Sequence, residues 1–169
     1  MNKVILETER LLLRELSPDD FDALFAIWGD AETMLYYPQP YNRQMLAAAL
    51  ERQINSYAQN GYGLWAMILK REQKLIGDCG LLHQEVAGVS ELEVGYHVNK
   101  NYWGQGFAPE AARACFDYGF NQLGHRRMIS MIRPENMPSR RVAEKNGLRL
   151  DKELFWKDST HYVYVLEKA

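Results

Sequence analysis

Residues Tyr96–Glu110 read YHVNKNYWGQGFAPE: a strand end, a turn holding two glycines, and the opening of an alanine-rich helix. Gly104 and Gly106 carry no side chain where the backbone must turn tightly and approach a ligand. The N–H groups from Gln105 to Ala108 would converge at the positive end of the helix, where a pyrophosphate is well received. A tight turn with no ligand uses the same residues equally well. Two familiar phosphate motifs are excluded. No G-x-x-x-x-G-K-[ST] run exists, so the turn is not a P-loop. The dinucleotide fingerprint wants a small residue three places after Gly106, and Pro109 stands there.

Working outward, Glu91–Val98 is a strand candidate set off by Gly88, and Leu64–Leu69 and Leu75–Leu82 are strand-like runs joined by a charged turn. Earlier, Arg10–Leu16 suits a buried strand. Ser17-Pro18-Asp19-Asp20 then starts a helix with Phe21, Leu24, Phe25 and Trp28 on one face. A second helix is predicted from about Asn42 to Asn60, after an aromatic loop that contains Tyr36, Tyr37 and Tyr41. Downstream, Ala108 to about Gly124 reads as a helix, Met128–Ile132 as a strand and Ser139–Asn146 as a short helix. Leu148–Trp156 and Tyr162–Leu166 read as two more strands. The class is α/β (α+β): a mixed, mostly antiparallel central sheet of six to seven strands flanked by about four helices.

Composition sets the bounds. The 169 residues fit one domain, 1–169. Hydrophobic residues make up 47% of the chain and charged residues 25%, a balance that supports a sizeable core. A formal charge of −2 argues against a nucleic-acid binder. No apolar run is long enough for a membrane span, and MNKVILETERLLLREL lacks the pattern of a signal peptide. Cys79 and Cys115 lie far apart, which points to no disulfide framework and to a reducing, cytoplasmic compartment. His83, His97, His125 and His161 have no ligand spacing, so no metal is expected. Residues 1–60 hold five basic and nine acidic side chains, whereas residues 121–150 hold seven basic and two acidic. That asymmetry suits either two solvated faces or a cationic ligand on one side and an anionic ligand on the other.

With these residues in place, the chain resembles the GNAT superfamily of N-acetyltransferases, and its RimJ/RimL-like branch in particular. The resemblance runs from ETERLLLREL through DAETMLYY and LEVGYHVNKNYWGQGFAPEA to IRPENMPSRRVAEKNGLRLD. The superfamily's pyrophosphate loop, [QR]-x-x-G-x-[GA], falls on Trp103, Gly104, Gln105, Gly106, Phe107 and Ala108. Trp103 replaces the usual Gln or Arg, which leaves the phosphate contacts to the backbone.

The resemblance implies acetyl transfer from acetyl-CoA to a primary amine by direct attack in a ternary complex. It implies a splayed strand pair that receives the pantetheine arm, with the backbone of Tyr96, His97 and Val98 as its contacts. Glu93 matches a position that often holds the base, with Glu91 on the same strand face as the alternative. The N–H of Val98 is a candidate donor to the oxyanion. The tyrosine that assists thiolate departure in many relatives is replaced by Ala143, and Ser139 is the substitute, unless it serves only the local helix turn. Asn136 matches a pantetheine contact, though it also suits a turn before Pro138. Arg140 and Lys145 are candidate counter-charges for the phosphates, surface solvation being the alternative.

Tyr36 and Tyr37 lie in the loop that lines the acceptor side in relatives. They would hold a cationic amine such as a protein N-terminus, that of a ribosomal protein for instance, or would pack under the loop. The partners are then acetyl-CoA and an amine, with no nucleic acid or membrane, and a homodimer is left open. Two rivals stand: a catalytically silent CoA-binding module, and a nucleotide-cofactor oxidoreductase, against which Pro109 weighs.

Overall fold

The computed structural model describes residues 2–169. Its elements are β1 (Val4–Glu7), β2 (Leu11–Arg14), α1 (Phe21–Trp28), α2 (Arg43–Asn60), β3 (Leu64–Leu69), β4 (Lys74–Val86) and β5 (Val89–Val98). They continue with α3 (Phe107–Asn121), β6 (Arg127–Ile132), α4 (Met137–Lys145), β7 (Arg149–Trp156) and β8 (Ser159–Glu167). The strands form one sheet of eight in the order β1-β2-β3-β4-β5-β6-β8-β7. Every neighbouring pair is antiparallel except β5 and β6. The sequence reading of six to seven strands falls one short. Missing from it is β1, four residues whose half-exposed side chains give little hydrophobic alternation to detect.

Alternation along β3 shows why helices cover both faces. Trp65, Met67 and Leu69 enter one buried cluster with Ala111, Ala112, Cys115 and Phe116 of α3. Leu64 and Ala66 enter another with Leu24 and Ile27 of α1 and Leu46 and Leu50 of α2. Successive side chains of a strand point to opposite faces, so a strand apolar at every position needs cover on both sides. No helix is long and apolar enough to cross a membrane among the described residues.

Local chemistry sets the helix starts. The Asp20 carboxylate accepts from Arg14 Nη1 and Nη2 at 2.9 and 2.8 Å and from the Ser17 N–H at 2.9 Å. This pins the end of β2 to the entry of α1. Asn42 caps α2 by accepting from Met45 N–H at 2.8 Å, which satisfies one of the first-turn donors. Asn136 caps α4 through Ser139 N–H at 3.2 Å, so that helix begins at Met137 rather than Ser139. Residue Gly106 lies at φ +81 immediately before α3. That left-handed conformation costs other residues about 1–2 kcal/mol.

Candidate active site

The sheet opens at its one parallel pair. β5 and β6 are in register only at Glu93 and Ile129. One residue on, the Ser130 hydroxyl donates to Val94 C=O at 2.9 Å, a side chain standing in for a ladder bond. Glu93 does the same from the other strand: its Oε2 accepts from Met131 N–H at 2.7 Å, and its Oε1 from the Gln84 amide at 3.0 Å. Beyond this point the strands part, and a cavity of about 350 Å³ lies between them.

Backbone alternation tells which groups of β5 face the opening. Val94 C=O points toward β6, so the N–H and C=O of Tyr96 and Val98 share that edge. His97 carries its backbone toward β4: its carbonyl lies against Gly77, and the next odd-numbered residue, Asn99, donates to Ile76 C=O at 2.8 Å. The expectation that the His97 backbone meets the pantetheine is therefore corrected. Only its side chain lines the cavity. The carbonyl of Val98 already accepts from the Trp103 indole at 2.8 Å, which ties the first residue of the turn to the strand before it.

The Gly-rich turn is braced from behind by a residue that sequence reasoning passed over. Arg10 donates from Nη1 to Gln105 C=O at 2.8 Å and from Nε to Glu110 Oε2 at 2.7 Å, with its guanidinium 4.3 Å from the Phe107 ring centre. The hydroxyl of Thr8 and the N–H of Arg10 also donate to Glu110, at 2.6 and 3.0 Å. Burial alone would raise the Glu110 pKa, but these donors outweigh it and hold the carboxyl below its ordinary value. The available signal was a charged residue opening the apolar run RLLLREL. Phe107 sends its side chain into the core, so only its backbone can serve a ligand. Around Gly104, at φ +75, a Cβ would meet nothing within 4 Å, so the turn presents bare backbone to open space.

Glu93, Tyr36, Tyr37 and Tyr41 line the same cavity as Tyr96, Asn136 and Ser139. Burial raises the Glu93 pKa, and the Met131 N–H and Gln84 amide offset part of that rise. Tyr96 donates from its hydroxyl to Ser139 C=O at 3.2 Å, which joins β5 to α4 across the opening. Burial raises its phenol pKa as well. Glu91 lies elsewhere: Arg127 Nε donates to it at 3.1 and 3.2 Å, and it lines a separate pocket with His83 and His125. Ala143 is buried in the core.

The two basic candidates separate. Arg140 turns inward, donating to Tyr164 Oη at 3.1 Å and Pro134 C=O at 2.9 Å with its guanidinium over the Tyr162 ring. These contacts hold it against β8. Lys145 is exposed on the last turn of α4. The next residue, Asn146, donates to Pro109 C=O at 3.2 Å, which sets this end of α4 beside the start of α3.

Known proteins bear on this geometry. The family described as "Acetyltransferase (GNAT) domain" matches residues 10–149. The uncharacterised protein YkkB of Bacillus subtilis (strain 168) is 36% identical over 155 residues, 90% of this chain and 89% of its own. An uncharacterised N-acetyltransferase, p20, of Bacillus licheniformis is 34% identical over 157 residues, 90% of this chain and 85% of its own. The crystal structure of the acetyltransferase from Agrobacterium tumefaciens str. C58 superposes with a TM-score of 0.85 at 28% identity, covering 96% of this chain and 94% of that one. With a family match over most of its length and relatives of this identity, the chain belongs to the GNAT family of N-acetyltransferases.

Proposed function

We propose that this enzyme, acting as one domain over residues 1–169, transfers the acetyl group of acetyl-CoA to a primary amine by direct attack in a ternary complex. One observation carries the reading: the parallel strands β5 and β6 part after a single register point, and the Gly-rich turn stands just past the end of β5. The residues present fit acetyl-CoA. The backbone of Tyr96 suits pairing with the pantetheine amides, as an added strand would pair, and at Val98 the N–H remains for a ligand. The N–H groups from Gly104 to Ala108 suit the pyrophosphate, with no bulky side chain in the way. Lys145 supplies a positive charge near that end, and Asn136 and Ser139 flank the opening.

Bound there, acetyl-CoA supplies an activated acyl group, and the protein's part is to orient and to manage protons. The Val98 N–H is the donor to charge developing on the thioester oxygen. The Ser139 hydroxyl is the nearest replacement for a donor to the departing sulfur. Glu93 is the carboxylate that an incoming ammonium meets, between walls of Tyr36 and Tyr37. Trp103 and the Asn136-x-x-Ser139 pattern favour the RimJ/RimL-like branch, and hence a protein N-terminus as acceptor, with small amines as the second class.

Calorimetric titration with acetyl-CoA on the wild type and on Gly106→Val tests the cofactor half. Micromolar binding lost in the variant supports it, and no binding by the wild type overturns it. Transfer is then assayed with Ala- and Ser-initiated peptides, phenethylamine and spermidine. Binding without transfer to any of them favours the silent CoA-binding module instead.

A further inference from the structure

Two buried side-chain nitrogens among the described residues have no hydrogen-bond partner, Trp65 Nε1 and His97 Nε2. Trp65 is enclosed in the core, whereas His97 borders the cavity. An unpartnered buried polar atom is uncommon in native proteins and calls for a physical account. The remaining contacts of His97 fix what kind of atom Nε2 is. Its Nδ1 lies 2.9 Å from Asp78 Oδ1, and Asp78 Oδ2 accepts from the Trp28 indole at 2.8 Å. With the Asp78 carboxylate accepting at Nδ1, the Nδ1–H tautomer leaves a lone pair on Nε2. The ring is clamped between Trp28 and Tyr37, at centroid distances of 4.4 and 5.0 Å.

Glu93 is less free. Both of its oxygens are occupied by donors, and those donors hold the strands at the opening. Glu93, Gly95 and His97 share one face of β5, and over Gly95 that face carries Leu82, whose Cδ1 lies 3.2 Å from where a Cβ would stand. The Cα atoms of Glu93 and His97 stand about 13 Å apart at roughly 3.3 Å per residue, and both residues line the cavity.

The geometry points to His97, oriented by Asp78, as the base that takes the proton from the acceptor's ammonium, with Glu93 holding that ammonium by its charge. The inference rests on the acetyl-transfer reading and names the proton acceptor within that site. The ammonium proton passes to His97 Nε2. The freed amine lone pair forms a C–N bond to the thioester carbonyl carbon, and the C–S bond breaks. The second N–H proton of the amine leaves with the sulfur as thiol, and the imidazolium returns its proton to water. Asp78 touches no substrate and is a positioning residue. Of the charged and titratable groups, Asp78 from β4 and Tyr37 from the α1–α2 loop meet the ring, and Tyr36, Tyr41, Glu93, Tyr96, Arg133, Lys157, Asp158 and His161 line the cavity with it.

The first test uses the wild type. Side-chain ¹⁵N NMR of His97 at neutral pH is expected to show the Nδ1–H tautomer, and the Nε2–H tautomer overturns the proposal. In His97→Gln, calorimetry should return the wild-type acetyl-CoA affinity. Its kcat/KM for the best amine of the peptide, phenethylamine and spermidine panel should fall about 10²-fold at pH 7. That deficit should shrink as pH rises toward the amine's own pKa. Full activity at pH 7, or a loss equal at every pH, overturns the assignment. Asp78→Asn should shift the tautomer and the pH profile, and Asp78→Glu should restore both in part. If the wild type acetylates nothing in the panel, the acetyl-transfer reading fails, and the tautomer still decides whether His97 presents a base.

Discussion

Glu110, on the first turn of α3, is bound by Arg10 from one hundred residues earlier, through its backbone N–H at 3.0 Å and its Nε at 2.7 Å. The same guanidinium holds Gln105 C=O, so one side chain joins the edge of the sheet, the Gly-rich turn and the helix that follows. Glu110→Gln should destabilise the protein by about 1–2 kcal/mol at pH 7. Solvent at the partly exposed Arg10 screens the pair and keeps the loss small. The Glu110 pKa is depressed on folding, so this stabilisation is present above the unfolded value and is lost as pH falls through the folded one. Thermal melts of wild type and variant should therefore converge in acid. Acetyl-CoA affinity, read by calorimetry, should weaken about tenfold if the brace is worth ~1.4 kcal/mol to the turn.

Glu93 carries the opposite sign. Its folded pKa is raised, so the folded state holds that proton more tightly than the unfolded chain does. Stability from this group is greatest below the unfolded value and declines as pH rises toward the folded one. Glu93→Gln removes the dependence while an amide can still accept from Met131 N–H. The variant's melting temperature relative to wild type should increase between pH 4 and pH 7. A difference flat in pH would show that the carboxyl titrates alike in both states.

Gly104→Ala isolates the cost of backbone conformation. A Cβ there meets nothing within 4 Å, yet φ is +75. The expected loss is about 1–2 kcal/mol by denaturant titration, from the left-handed conformation alone. Gly104→Asn should recover part of it, since Asn tolerates that region better.

Tyr96→Phe removes the hydroxyl that spans the opening to Ser139 C=O. The expected cost is about 0.5–1.5 kcal/mol in unfolding free energy. Hydrogen exchange of the α4 amides should quicken while those of β3 stay protected, because the tether links α4 to β5 and does not touch the sheet core.

Tyr62, His83, His125, Arg126 and Arg127 line the second pocket with Glu91, so the structure separates two carboxylates that the residues alone left together. Glu91 and Glu93 share a strand face, and alternation could not separate them. The structure gives Glu91 to Arg127, which also binds Asp151 and Glu167. Glu93 is left at the parting of β5 and β6. Arg140 and Lys145, two charges on one short helix, differ likewise in that Tyr164 and Pro134 hold the first of them.

Local chemistry in the sequence determined the elements and their order from β2 onward, because caps, apolar periodicity and turn glycines act over a few residues. It also determined the Gly-rich turn, whose two glycines and helix start are contiguous from Gly104 to Ala108. Tertiary structure alone decided that Arg10 stands behind that turn, that Glu93 and Ser130 replace ladder bonds where the sheet opens, and that His97 meets Asp78. The last pair faces across β4 and β5 in the antiparallel register, nineteen residues apart. No local pattern encodes such a contact, since it arises only when two strands align, and a shift of one residue would send each side chain to the opposite face.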